Sequence, residues 1–431
     1  MKIFVNRAHE LKVLEKAKAG LIVIFGRRRV GKTALVKKWM NLKSEIKNAV
    51  YTQAIEGSPV VQIEQIVADL DGVLPKGLQP KTWQELLAAI ALIKGKQIIT
   101  VDEFPYLVRT NPSLPSIIQK WIDHDQPLGQ TLVLLGSSQT MMHGVFLDAS
   151  SPLYERADLI IKVEPMSYQH YCEANSLKPT DMDNFLMFSM MGGIPRYWQY
   201  VANVSDVLDV ADGLFFGKSA RLEDEPDRLL KDEDISGQQA KAIFESIGRG
   251  SVKPSEIGAR MGIPQTGLSK PLGILMSANL IVRELPFGDS PRNSKKTLYK
   301  ITDYALRFWY QVYSPHRTRW HHYDRAQKLK LVRDHAAGVL EDEFRKIHLD
   351  AARYWEGSNL EFDCVRHAPK HGEQVIVTEI KYREISEAEK SSIASEIKQK
   401  LLASRLGEKF ELAQVEVLGG VDVLRAILGG K

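Results

Sequence analysis

A chain of 431 residues is longer than one ordinary domain, and its 44% hydrophobic and 26% charged residues suit buried cores and exclude bulk disorder. Its two cysteines, Cys172 and Cys364, exclude a disulfide framework and a cysteine metal site, so a reducing cytoplasmic setting is expected. A net charge of +5 permits a nucleic-acid partner without arguing for one, and no apolar run approaches the ~20 residues that span a bilayer.

The opening, MKIFVNRAHE, turns polar too early for a secretory leader. Next comes GLIVIFGRRRVGKTAL, an apolar run from Leu21 to Phe25 that reads as a strand covered on both faces. The residues Gly26, Arg27, Arg28, Arg29, Val30, Gly31, Lys32 and Thr33 fit G-x-x-x-x-G-K-[ST] between a strand and a helix, and together with Ala34 they are the expected nucleotide-binding residues. Glycines there let backbone N–H groups approach phosphate, Lys32 supplies a point charge, and the Thr33 hydroxyl suits Mg²⁺. The run Arg27, Arg28, Arg29 meets either phosphate or a neighbouring acidic surface, and the sequence leaves both open.

Such a loop needs a carboxylate at the end of a second buried strand. KQIITVDEFPYL supplies Asp102 as a metal-side ligand and Glu103 as a catalytic group that orients the attacking water. QTLVLLGSSQTMM reads as a third strand ending in Ser137 and Ser138, which either meet the γ-phosphate and water or cap the next helix. AVYTQA and ADLIIKVEPMS are further candidate strands of a doubly wound sheet. Arg156 in SPLYER is a candidate cation for transition-state charge, or a surface partner of Glu155 or Asp158.

From about Gly237 the pattern changes. GQQAKAIFESIGRG and KPSEIGARMGIP read as helices, and TGLSKPLGILMSANLIVRELPF as a third helix running into a strand. The loop GDSPRNSKK and the strand TLYKITD complete a winged helix-turn-helix layout. Pro271 requires the third helix either to start near Ser269 or to kink. Arg292, Lys295 and Lys296 suit DNA backbone phosphate, with Lys270 the cation of the third helix. Winged helices also serve as protein-protein modules, so DNA, a protein partner and self-association stay open. Phe308, Trp309, Tyr310, Tyr313 and Trp320 form an aromatic cluster that either packs modules together or stacks on bases. Beyond it, NLEFDCV and EQVIVTEIKYR alternate as strands, with Glu379 and Lys381 on one face.

The stretch Phe4-Val-Asn6-Arg7 with Glu10-Leu11, the phosphate loop, VDEF, LLGSS, SPLYER and GGIPRY stand in the order seen in a family of archaeal-type ATPases. The chain resembles that family, a branch of the AAA+/STAND P-loop group, over nearly its whole length. The resemblance implies ATP and Mg²⁺ as ligands, Asn6 and Arg7 at the adenine pocket, and Pro195 in a helical lid. It also implies a C-terminal domain similar to PD-(D/E)XK nucleases. Carried over by position, Asp363 and Glu379 would ligate Mg²⁺ with the Ile380 carbonyl, Lys381 would polarise the water, and Glu341 would be a further carboxylate. Two carboxylates ~4 Å apart repel by about 4 kcal/mol at an effective dielectric of ~20, so their convergence calls for a metal, the Lys381 ammonium or a proton.

The expected fold class is therefore α/β. It comprises a P-loop NTPase core over residues 1–165, a helical lid over 166–232, a winged helix-turn-helix over 233–315 and a nuclease-like domain over 316–431. The expected function is an ATPase that couples Mg-ATP turnover to its downstream modules, acting on DNA. The alternatives are a nucleotide-controlled endonuclease and a STAND-like switch with an inactive tail.

Overall fold

A computed structural model describes residues 4–43, 46, 48–127, 129–290, 292, 296–357, 359–369 and 371–429. Strands β1 (Gly20–Phe25), β2 (Asn48–Gln53), β3 (Gln97–Asp102), β4 (Gln130–Gly136) and β5 (Leu159–Lys162) form a parallel sheet in the order β2-β3-β4-β1-β5. The unbroken apolar run of β1 follows from its central place. Ile22 and Ile24 enter one core while Leu21 and Val23 enter another, and all four are fully buried. Register pairs Phe25 with Gly136 and places Asp102 opposite Gln53, so the loops after β1, β3 and β4 meet at one edge of the sheet.

The helices Tyr168–Asn175, Met182–Met191 and Pro195–Tyr200 follow. Tyr168, Phe185 and Phe188 pack as rings, and Trp198 lies edge-on to Tyr171. GGIPRY is a close approach as well as a helix stop: a Cβ on Gly193 would lie 2.0 Å from the Met166 carbonyl oxygen. The helix Glu225–Asp232 then runs back over the phosphate loop.

Helices Gly237–Gly248, Pro254–Met261 and Ser269–Ser277 share a core with the antiparallel pair β6 (Ile281–Glu284) and β7 (Leu298–Ile301). The third helix starts at Ser269, so Pro271 falls in its first turn, where its missing N–H costs nothing. Arg292 is exposed, and Lys295 lies outside the described residues. The aromatic cluster is packing: Phe308, Tyr310, Tyr313 and Trp320 are buried, and Trp320 stacks on Phe216 at 3.8 Å. The base-stacking alternative does not hold for these four rings.

The helix Arg325–Lys346 starts with a reciprocal cap between Asp324 and Gln327. It leads to β8 (Ala352–Glu356), β9 (Leu360–Ala368), β10 (His371–Lys381) and β11 (Glu411–Gly419), in the order β11-β10-β9-β8. β10 pairs with β11 in parallel and with β9 in antiparallel fashion. Alternation in β10 suggests one wet face, yet Val375 through Thr378 are all buried. The strand is central, with Val375 and Val377 in a core with Ile397 and Leu401, and Ile380 in one with Val339, Val423 and Leu424. The last of these belong to a closing helix, Gly420–Gly429, that the sequence reading does not anticipate. Asp342 fastens this region to β7: it pairs with Arg307 at 2.8 Å, Arg345 at 2.5 Å and Lys300. Among the described residues, no helix is long and apolar enough to cross a membrane.

His335 on the long helix lies between Ser189 O and the Gln311 amide, 2.9 Å from each. Burial pushes its imidazole down from 6.5 to about 3. It is therefore neutral when folded, whereas the unfolded chain takes up a proton near pH 6.5. Its contribution is present above that pH and is lost as pH falls toward 3, by roughly 1.4 kcal/mol per unit. Denaturant midpoints for the parent protein are expected to fall more steeply between pH 7 and pH 5 than those for His335→Gln. Parallel slopes would contradict the burial of a neutral imidazole.

Candidate functional site

The loop after β1 turns on Gly26, whose φ is +151°, and a Cβ there would sit 2.4 Å from the Val163 carbonyl oxygen. Gly31, at φ +104°, ends the loop, and the helix Lys32–Leu42 begins. Lys32 is buried and its Nζ donates to Gly26 O at 2.9 Å and Arg27 O at 3.2 Å. Burial pushes its pKa down, against the charges of Glu103 and Asp102.

The Asp102 carboxylate receives three donors from three segments. Thr33 Oγ1 lies 2.6 Å and Tyr51 Oη 2.7 Å from Oδ2, and the Glu103 N–H lies 2.9 Å from Oδ1. Glu103 takes a left-handed backbone at φ +56°, and its Oε2 accepts from Ser137 Oγ at 2.7 Å. Tyr51 is a site residue that sequence reading missed. Nothing in AVYTQA marks it, because its role follows from β2 lying beside β3.

A cavity of about 550 Å³ opens over Gly31, Lys32, Thr33 and Ala34. Asp102 and Glu103 bound one side, and Phe4, Met166, Pro195 and Trp198 another. Arg7 lines it as a brace, donating to Val30 O at 3.1 Å and Glu164 O at 2.8 Å while Glu10 holds it at 2.9 Å. Asn6 lies beside His170 at 3.4 Å, and with Gly26, Arg27 and Val30 it is not part of the cavity wall.

The arginine run meets an acidic surface. Arg27 pairs with Asp303 and donates to Tyr197 Oη at 3.0 Å, Arg28 pairs with Asp232 at 2.9 Å, and Arg29 with Glu225 at 2.6 Å. Arg28 and Arg29 also border the cavity. Two further residues lie elsewhere than the chemical reading placed them. Ser138 Oγ accepts from Met141 N at 3.3 Å and donates to Glu233 at 3.3 Å, so it is a helix cap; the serine at Glu103 is Ser137. Arg156 pairs with Asp123 at 3.1 Å, and neither Glu155 nor Asp158 is its partner.

In the C-terminal sheet, Asp363, Glu379 and Lys381 are neighbours, and each is bonded within the protein. Asp363 accepts the Ile380 N–H at 2.8 Å, and Lys381 Nζ donates to Glu379 at 2.7 Å. Glu341 pairs with Arg345 at 3.5 Å. Burial, then the charges of Glu341 and Glu379, push the Asp363 carboxyl up to about 7. Among the described residues, no group of three His, Cys, Asp or Glu side chains is placed to hold a metal ion. The repulsion foreseen for converging carboxylates is eased here by the Lys381 ammonium on Glu379 and by the raised pKa of Asp363. By contrast, Thr33 and Asp102 present a hydroxyl and a carboxylate oxygen 2.6 Å apart beside a buried ammonium, a donor set that suits Mg²⁺ on a phosphate.

Residues 4–201 match a family described as an ATPase domain predominantly from Archaea. An uncharacterised protein of Methanocaldococcus jannaschii is 30% identical over 318 residues, 73% of this chain and 69% of its own length. An uncharacterised ATP-binding protein of the same organism is 53% identical over 51 residues, 11% of this chain and 85% of its own length. A Walker-type ATPase of Pyrococcus abyssi superposes with a TM-score of 0.52 at 19% identity, over 72% of this chain and 96% of that one, which shows a shared fold.

Gly26→Ala is expected to lower the unfolding free energy by more than about 1 kcal/mol, and with it the midpoint, and to abolish nucleotide binding, because the added methyl meets the Val163 carbonyl at an unfavourable φ. Thermal unfolding with and without nucleotide measures both, and an unchanged midpoint would contradict the packing.

Proposed function

We propose that this chain, which belongs to the family of ATPases found predominantly in Archaea, hydrolyses Mg-ATP at the Lys32–Asp102 site and uses the cycle to reposition a DNA-contacting middle module. The observation that carries this reading is the 2.6 Å bond from Thr33 to Asp102 beside the buried Lys32 ammonium. The backbone of the Gly26–Thr33 loop and Lys32 receive the phosphates. Thr33 and Asp102 would hold Mg²⁺, which supplies charge neutralisation at the phosphate oxygens. Glu103, steadied by Ser137, orients a water for attack on the γ-phosphorus. The Pγ–O bond to ADP breaks and inorganic phosphate leaves. Arg7 and Pro195 line the nucleoside end, with Arg28 and Arg29 at the phosphate end.

The three helices and the β6–β7 pair support a winged helix-turn-helix reading of the middle module. Lys270 and Arg292, both exposed, are proposed contacts to backbone phosphate without base readout. The strand order of the tail, with Asp363 on β9 and Glu379 and Lys381 on β10, supports a nuclease-like fold. Asp363 and Glu379 hold the Ile380 N–H and Lys381, and we assign the tail a switching role. Arg156 remains a surface cation that would act only on a neighbouring molecule.

Lys32→Ala and Glu103→Gln are each expected to lower ATP turnover by about 10²-fold or more, and undiminished phosphate release from either purified variant would sink the assignment. Duplex DNA binding should weaken with salt, and Arg292→Ala should reduce the log–log salt slope by about one. Plasmid incubated with Mg²⁺ or Mn²⁺ should stay supercoiled. Nicking that Lys381→Ala abolishes would make the tail an endonuclease instead.

A further inference from the structure

The segment Asp232-Glu233, at the end of the lid helix, touches both loops that flank the phosphate site. Asp232 pairs with Arg28 at 2.9 Å and its carbonyl accepts from Arg109 at 3.1 Å. Glu233 reaches the other loop. Its Oε1 accepts the Gln139 N–H at 3.0 Å, and its Oε2 accepts the Thr140 N–H at 3.0 Å and the Ser138 hydroxyl at 3.3 Å. These are the first donors of the helix Gln139–Phe146, where partial positive charge favours an anion. Ser138 already caps that helix through the Met141 N–H, so stability of the helix alone does not call for a second acceptor. Yet a carboxylate from a segment more than ninety residues away is buried there, with 6% of its surface exposed. Burying a charge is costly unless every oxygen is bonded, and here both are.

Ser138 is next to Ser137, which donates to Glu103 at 2.7 Å. The two serines are thus held between two carboxylates, Glu233 of the lid and Glu103 of the site. Gln139 extends the contact to the middle module by donating to Ala278 O at 3.0 Å. We infer that Glu233 is a positioning residue for ATP hydrolysis: it fixes the Ser137-Ser138 loop so that Ser137 orients Glu103. This rests on the reading of Glu103 as the group that orients the water. Movement of Glu233 relative to β4 would then change turnover through Ser137 and Glu103.

The test is a double-mutant cycle on the full chain, with Glu233→Gln, Ser137→Ala and the pair. Gln keeps the size of the side chain but exchanges one acceptor oxygen for an amino group that cannot receive an N–H. Glu233→Gln is expected to lower kcat about tenfold, inside the ~10²-fold that a 1 Å misplacement costs. KM and the affinity for a fluorescent ATP analogue should stay within about threefold of the parent, because the phosphate loop is untouched. The pair should be no slower than Ser137→Ala alone. An unchanged kcat in Glu233→Gln, losses that multiply in the pair, or a loss of nucleotide affinity matching the loss of kcat would each overturn the inference. Glu233→Asp, which keeps the charge, should recover part of the rate, and no recovery would count against positioning. The reading beneath it fails separately: Glu103→Gln with full turnover removes the catalytic glutamate, whereas an inactive Glu103→Gln with a multiplicative Glu233–Ser137 pair removes only the positioning role.

Discussion

The carboxylate of Asp102 is the point on which the site is built. It ends a fully buried strand and gathers Thr33 from the phosphate-loop helix, Tyr51 from β2 and the N–H of Glu103. An Asp at that position aligns three chain segments because each donor has one direction in which its bond is good. The parallel sheet makes this meeting unavoidable. With β2, β3, β4 and β1 in adjacent register, the ends of all four strands lie along one rim.

The three consecutive arginines of the phosphate loop are the second organising feature. Each is tied to a different acid, Asp303, Asp232 or Glu225, and those acids belong to segments that follow the sheet by long stretches of chain. Three like charges in successive residues would repel one another; opposite charges on packed neighbours relieve that repulsion. The loop is therefore braced by the helix Glu225–Asp232 and by the start of the helix after β7, so the phosphate end of the cavity and later segments of the chain share side chains. The Asp342 cluster continues the chain of ion pairs from β7 to the long helix.

The C-terminal sheet shows how similar residues settle differently. Asp102 and Thr33 present oxygens to an open cavity. Asp363 is satisfied by a backbone N–H and Glu379 by its neighbour Lys381, so the same residue types are committed to one another. Asp102 is engaged as well, by three donors, so what marks its site is the cavity that it borders beside Thr33 and Lys32.

Much of the core was legible in the sequence. The apolar run of β1, the glycine spacing of its loop, the VDEF strand end and the helix-helix-helix-hairpin order all depend on local pattern, and each lies where that pattern puts it. What local pattern does not carry is which distant segment faces which. Tyr51 reaches Asp102 only because β2 pairs with β3, Ser137 rather than Ser138 turns toward Glu103, and both faces of β10 are covered, one by Ile397 and Leu401 and the other by Val423 and Leu424. The acids that Arg28 and Arg29 meet are brought to them by the helix Glu225–Asp232 folding back over the loop. Periodicity and motif spacing report the conformation of neighbouring residues, while side-chain pairing across the fold depends on packing that is specified by the whole chain at once.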